Sequence, residues 1–536
     1  MMRKPVLAGL VTGILFMAAA FVPGLLPRPW YVQGVLLGLA LAFGYGVGAV
    51  ITAAWRRATG ARKQTSFKHV MAALLIPVAT LVWGAVVHLR WQVDIRKLMN
   101  LTPGAWRYLA AALALAIPVA LLLVLIGRAF MAMFSRLLTW LGRAMPRSLA
   151  VTTVTLVIIV VAFLFLDLVV ASRLVPALEE AHATSDRSFD PGVEPPTSRR
   201  LSGGPGSLIG WEGMGRQGRV FVSDAPTPAQ IESFANEEAA EPIRIYVGLE
   251  IGDTAEGRAV RAIEEMERTG AFQREIIILI APTGSGWIDP YSIQPLEYMY
   301  RGDTAAVAVQ YSYLASWMVM FGQQDLATDA SRALYRVVSH RLMKEPEATR
   351  PKVLLYGESL GAFGWERSFE DLDEVTEGAD GVLWVGPPRV NPIWRKLVAS
   401  RDPGSPLWRP VYQGGETVRF GPDRESLLIP ESAWTPPRVV YLQHASDPIT
   451  WLGFDVLTKR PEWLDPPRGP DVSAHMPFVP VVTFVQMAVD LALGTSAPLG
   501  HGHKFGLAQA DAWALILPPS GWTDEDTATL VEHIRR

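Results

Sequence analysis

Five apolar stretches crowd the first 171 residues, at 6–26, 34–54, 70–87, 108–126 and 149–171. A bilayer's hydrocarbon core of about 30 Å calls for roughly 20 apolar residues of helix. The last stretch, LAVTTVTLVIIVVAFLFLDLVVA, is too long and too apolar for a helix in a water-soluble core. Pro77 and Pro118 fall inside two of the stretches, where a lipid-embedded helix tolerates them. The sequence thus predicts an N-terminal α-helical transmembrane bundle of about five spans.

Charge divides the chain at the same place. Residues 1–171 hold sixteen Lys and Arg against two acids, Asp94 and Asp167, a net of +14; the remainder carries −16. A basic, apolar part joined to an acidic, mixed part reads as a membrane unit joined to a water-facing one. Eleven of the sixteen cations lie at the N-terminus, between Arg56 and Lys68, and between Arg128 and Arg147, with no acid among them. That side is expected to stay in the cytoplasm, and an odd number of spans then leaves residue 172 onward outside. The first stretch is also compatible with a signal peptide, although no small-residue cleavage site follows it. Residues 130–147 are amphipathic and are expected to lie along the interface. Asp167, inside the last stretch, is either a functional group or a carboxylate reaching the headgroups. The chain has no cysteine, which excludes disulfides, thiolate metal sites and cysteine nucleophiles.

The sequence predicts three parts: a transmembrane helical domain at 1–175, a flexible linker at 176–206 and a catalytic domain at 207–536. The linker reading rests on a polar run rich in Gly, Pro and Ser. Beyond it, short β-like runs alternate with helical stretches. The runs are RVFVS (219–223), IRIYVGL (243–249), EIIILIA (275–281), AVAVQY (306–311), KVLLYG (352–357), GVLWVG (381–386) and RVVYLQH (438–444). Apolar strands separated by helices indicate a mostly parallel sheet with helices on both faces. Such a sheet carries its chemistry on loops at the carboxyl ends of its strands.

The central signal is GESLG at 357–361, directly after the run KVLLY and before a helical stretch. The G-x-S-x-G pattern alone is weak, but strand, sharp turn and helix form the setting that a nucleophile elbow needs. Ser359 is the expected nucleophile, and a serine hydroxyl needs a base to take its proton. An acid and a histidine should follow in that order. Asp447 ends the run RVVYLQHASD, where an acid would orient an imidazole. The loop PLGHGHKFG at 498–506 supplies two histidines. His503 is the expected base, with His501 the alternative, and metal binding by the pair is a third option. The developing oxyanion needs donors. The Leu360 amide is one; the second is expected from Thr283, Gly284 and Ser285 in the glycine-rich loop PTGSGW at 282–287. In this loop the phosphate-binding patterns G-x-x-x-x-G-K-[ST] and G-x-G-x-x-G are absent.

PTGSGW, QYSYLASW at 310–317, GESLGAFG at 357–364, YLQHASDPITW at 441–451 and GHGHKF at 500–505 together resemble a family of bacterial integral-membrane α/β-hydrolases. These segments span nearly all of the water-facing part. The resemblance implies an α/β-hydrolase domain, a Ser359–Asp447–His503 triad and a bacterial inner-membrane location; no cofactor or metal is expected. It brings no substrate. The long interval between Asp447 and His503, with an apolar stretch at 481–493, departs from simpler α/β-hydrolases. The expected activity is cleavage of an ester in a lipid-like or envelope substrate. Trp287, Trp317, Trp365 and Trp451 are candidates for an apolar site. The expected partners are the lipid bilayer and an amphiphilic or acylated small molecule, without nucleic acid. An acyltransferase using the same serine, or a non-catalytic membrane scaffold with a degenerate hydrolase fold, are the other readings.

Overall fold

The computed structural model describes residues 6–60, 67–102, 106–165, 167–168, 173 and 175–535. The chain divides into two compact units. The first is Met1–Pro176 together with Leu452–Leu464 and Pro470–Ser496; the second is Ala177–Trp451, Asp465–Gly469 and Ala497–Arg536.

In the first unit, helices α1 (Val6–Ala19), α2 (Trp30–Thr59), α3 (Phe67–Leu98), α4 (Trp106–Leu141) and α5 (Arg147–Leu164) follow in order. Among the described residues, three helices, Trp30–Thr59, Met71–Leu98 and Trp106–Leu141, are long and apolar enough to cross a bilayer, against the five spans expected. The first expected span stops being helical at Ala19. Pro23 and Pro27 follow at once, and Phe21, Leu25 and Leu26 turn into the interior, each 1% exposed. The fifth is helical for 18 residues as α5; residues 166, 169–172 and 174 fall outside the described set. The segment expected along the interface instead continues α4, a 36-residue helix about 54 Å long.

Burial in this unit is inverted relative to a soluble protein. Leu75, Ile76, Trp83 and Phe43 face outward, whereas Gln33, His88 and Gln92 are buried. Small residues let the helices approach closely, as packing in lipid requires. A side chain at Gly44 would collide with the Thr12 carbonyl and Phe16 of α1. One at Gly38 would come within 2.7 Å of Val119 on α4. The Thr12 hydroxyl donates to the Gly44 carbonyl across the first contact at 2.7 Å.

The second unit begins at Ala177, within α6 (Val175–Arg187), and continues to α7 (Gly215–Ser223). The first occupies part of the stretch expected to be a flexible linker, and Leu201 bridges to Arg244 farther along that stretch. The run RVFVS, expected as a strand, belongs to α7. Its buried positions are Gly215, Gly218, Arg219, Phe221 and Val222, and the 215, 218, 219 and 222 set follows helical spacing. Arg219 also gives its guanidinium to the carbonyls of Glu212, Asp186, Arg187 and Ser188, which a strand could not arrange.

Seven strands form one sheet: β1 (Ile243–Val247), β2 (Ile276–Ala281), β3 (Thr304–Val309), β4 (Lys352–Glu358), β5 (Gly381–Val385), β6 (Val418–Gly421) and β7 (Arg438–Leu442). Their order is β1-β3-β2-β4-β5-β7-β6, and every pairing is parallel. Helices α8 (Ala255–Thr269), α9 (Asp325–Leu342), α10 (Leu360–Glu366), α11 (Val482–Leu491), α12 (Ala508–Ile516) and α13 (Asp524–Arg535) lie among and after the strands in sequence. All but α11 belong to the second unit. Register aligns the strand ends: Ala281 pairs with Gly357, Glu358 with Val385, and Val385 with Leu442. The loops after β2, β4, β5 and β7 therefore leave the sheet at one edge.

Gly38→Leu overfills the α2–α4 contact. We expect a loss of about 1–3 kcal/mol, read as a lower unfolding midpoint of the full chain in detergent, with no comparable loss for Gly46→Leu, which meets open space.

Candidate active site

The turn after β4 holds Ser359 at φ 55° and ψ −115°, a backbone conformation that a non-glycine residue adopts only at a cost. Its surroundings leave little alternative. The Ser359 amide donates to the Val385 carbonyl at 2.8 Å, and its carbonyl accepts from Phe363 at 3.1 Å, which starts α10. A side chain at Gly357 would strike the Gly361 backbone, and one at Gly361 would strike the Ala281 carbonyl. The small residues on each side of Ser359 are therefore needed sterically. Leu360 is the first residue of α10, so its amide has no intrahelical acceptor.

The segment after β7 carries Asp447, which is fully buried. Its Oδ1 accepts from the Ile449 amide at 2.9 Å, and its Oδ2 lies 2.7 Å from His503 Nδ1. The loop bearing His503 is fixed from beneath. The Gly502 amide donates to Ser446 Oγ at 2.8 Å, and the Gly502 carbonyl lies 2.9 Å from His444 Nδ1. His444 stacks on Phe505 at 4.4 Å. The imidazole of His503 rests against Gly386, whose added side chain would come within 2.4 Å of His503 Cε1. Gly386 directly follows Val385, the acceptor of the Ser359 amide, so His503 and Ser359 stand over neighbouring strand ends. His501 is in a different position, its ring 6.5 Å from that of His444.

Burial opposes a charged His503, but the hydrogen-bonded Asp447 carboxylate outweighs it and lifts the imidazole above its usual value. Glu358, which precedes the serine, was not singled out in the sequence. Burial, and then Asp289 nearby, push its carboxyl up to about 8. Tyr356 Oη lies 3.3 Å from Glu358 Oε2 and 2.9 Å from Gln509 Oε1, and Gln509 Nε2 donates to Asp289 at 3.0 Å. A buried polar network thus runs beside the elbow. Only the side chain at 358, pointing to the same face as Tyr356, could have hinted at it.

The loop at 282–287 is a tight turn closed by the Gly286 amide on the Thr283 carbonyl at 2.8 Å. Thr283 gives its amide to the Trp287 carbonyl, and Gly284 gives its amide to Ser316 Oγ. Those two amides, expected as oxyanion donors, are thereby committed to holding the turn; among the described residues, nothing accepts from the Ser285 amide in this way. Tyr246 and Tyr311 add hydroxyl bonds to the Gly286 and Pro282 carbonyls, each at 2.8 Å. The segment at 310–317 thus supports the loop through Tyr311 and Ser316. Of the four tryptophans considered for an apolar site, Trp365 and Trp451 are core residues, bonded to the Tyr356 and His444 carbonyls. Trp287 and Trp317 are exposed. Among the described residues, no group of three or more His, Asp or Glu side chains is placed to hold a metal ion.

A sequence model of the alpha/beta-hydrolase family matches residues 243–530, and one described as the N-terminus of that family matches residues 21–226. No curated protein and no solved structure matches the chain.

The raised Glu358 value has a stability consequence. Its proton binds the folded state more tightly than the unfolded one, so its favourable contribution is complete below the ordinary value of 4.5 and is lost as pH rises through about 8. Relative to Glu358→Gln, the native chain should show an unfolding midpoint that falls progressively between pH 5 and pH 9.

Proposed function

The chain belongs to the alpha/beta-hydrolase family, and from that premise we propose that it is a membrane-anchored serine hydrolase that cleaves an ester in a lipid-like or envelope substrate. The observation that carries this reading is the buried 2.7 Å contact between His503 and Asp447, next to the strand ends that hold Ser359. In the proposed reaction, Ser359 Oγ attacks the ester carbonyl while His503 Nε2 takes its proton. Asp447 fixes the ring through Nδ1, keeping Nε2 as the acceptor, and stabilises the imidazolium that forms. The carbonyl oxygen gains charge and is met by the Leu360 amide and, from the second loop, by that of Ser285. His503 then gives its proton to the departing alcohol, and the acyl group stays on Ser359. Water, deprotonated by the same imidazole, releases the acid and restores the serine.

The three long apolar helices support a membrane association. The uneven distribution of Lys and Arg supports an orientation in which the catalytic part faces away from the cytoplasm. The buried network at Glu358 supports a site that keeps a neutral carboxyl beside the nucleophile at neutral pH, limiting negative charge near the developing oxyanion.

Hydrolysis of a p-nitrophenyl ester by the full chain in detergent tests the reading. Ser359→Ala and His503→Ala should each lower kcat/KM by about 10³-fold or more, and Asp447→Asn by about 10²–10⁴-fold. His501→Ala should stay within about tenfold of the native chain. Undiminished activity in Ser359→Ala contradicts the proposal. Since the reaction needs neutral His503, kcat/KM should rise with pH, with a midpoint above the ordinary imidazole value of 6.5.

A further inference from the structure

The stretch between the acid and the base does not stay with the sheet. Leu452–Leu464 and Pro470–Ser496 pack within the helical unit, and Asp447 and His503 lie five residues before and seven residues after those segments. Within them, α11 is built the wrong way round for water. Thr483, Gln486, Met487 and Asp490, spaced i, i+3, i+4 and i+7, form its buried face. On the other face Val485 and Ala488 are exposed, as are Val481 and Ala492, which flank the helix at its two ends. Three of the four buried side chains are polar, and all four exposed ones are apolar.

The buried face is held by an ion pair. Asp490 and Arg28, both fully buried, meet at 2.8 Å. Asp490 also accepts from the Leu25 amide at 2.6 Å, and Arg28 bonds the Gln486 carbonyl at 3.0 Å as well as its side chain. Gln486 Nε2 reaches the Ala20 carbonyl at 3.2 Å. Gly24 lies so close that a side chain there would overlap Asp490 Oδ2. Ser473 bonds Asp94 near the end of α3. These contacts fix the segment to one end of the helical unit, at the α1–α2 turn. Outside, Phe454 is 79% exposed and stacks with Phe484 at 5.8 Å. No Lys or Arg occurs between Arg468 and Lys504.

We propose that α11 and Phe454 are embedded in the lipid at the headgroup–acyl boundary, with Val481, Val485, Ala488 and Ala492 against acyl chains. The helix, about 15 Å long, is too short to cross a bilayer, which leaves the interfacial arrangement. Water is the poorer occupant because it would face the apolar stripe while the polar side chains are buried. A second copy is also disfavoured: this short stripe falls well below the roughly 800 Å² per partner of a stable interface. The embedding deepens the proposed function and rests on it in one respect. If Ser359 is the nucleophile, its acid and base flank a lipid-contacting segment, so the substrate class is an ester of a membrane lipid rather than a water-soluble one.

The chain has no cysteine, so single substitutions carry a spin label without further change. Val485→Cys and Ala488→Cys are labelled in the full chain in phosphatidylcholine nanodiscs, with exposed Glu347→Cys as the aqueous reference. Collision with a nickel chelate should be several-fold lower at 485 and 488 than at 347, and collision with oxygen higher. Nickel access equal to that at 347, or dipolar broadening between copies, overturns the embedding. Adding Asp490→Ala to Val485→Cys should raise nickel access by releasing the helix; no change overturns the role of the ion pair. These readouts need no activity, so they stand apart from the fate of Ser359. For the substrate class, Val485→Arg should slow hydrolysis of phosphatidylcholine vesicles at least tenfold while sparing a short-chain soluble ester. Equal loss on both substrates, or on neither, contradicts the lipid assignment, whereas activity surviving Ser359→Ala contradicts the hydrolase reading itself.

Discussion

One buried hydrogen bond, from His503 Nδ1 to Asp447 Oδ2, joins two side chains 56 residues apart in the sequence. Both partners are almost completely removed from water, where an unpaired carboxylate would be very costly. The bond is therefore affordable only with its full set of supports. The Ile449 amide serves the second Asp447 oxygen, and His444 and Ser446 hold Gly502 in place beneath the imidazole. Truncating any of these supports changes the geometry around the His503 imidazole.

The sheet does the remaining positioning. Parallel strands with aligned ends bring the loops after β2, β4, β5 and β7 to a common edge. At that edge Ser359 is forced into a left-handed backbone, and Gly357 and Gly361 are the residues whose lack of a side chain permits it. Strain of this type persists only where its neighbours over-determine it. Here the Val385 carbonyl on one side and the first turn of α10 on the other do so. The buried Glu358 adds a cost of its own, because its charged form is disfavoured by burial and by Asp289.

Much of this was legible in sequence because apolar runs report burial directly. Six of the seven strands coincide with such runs, and GESLG marks the elbow by the size of its residues. β6 escaped notice since VRFG is four residues long and centred on an arginine, whose charge is absorbed by the carbonyls of Gly415, Leu427 and Ser432. RVFVS misled because β-branched residues favour strands, and tertiary bonds to Arg219 overrode that preference. The first expected span fell short because hydropathy cannot see that Phe21, Leu25 and Leu26 turn inward. Asp447 and His503 could be named from residue type and order, whereas their 2.7 Å separation could not. The same holds for the amides of Thr283 and Gly284, since what they donate to depends on Trp287 and Ser316 and not on glycine content. Nor could spacing pair Arg28 with Asp490 across 462 residues.

The most direct test of the account is where an active-site-directed fluorophosphonate becomes attached. Full-length chain in detergent is treated with the reagent, digested, and mapped by mass spectrometry. The account predicts one phosphonylated residue, Ser359, with modification that becomes much slower in His503→Ala. An adduct at another residue, or equally fast labelling of Ser359 without the histidine, would contradict it.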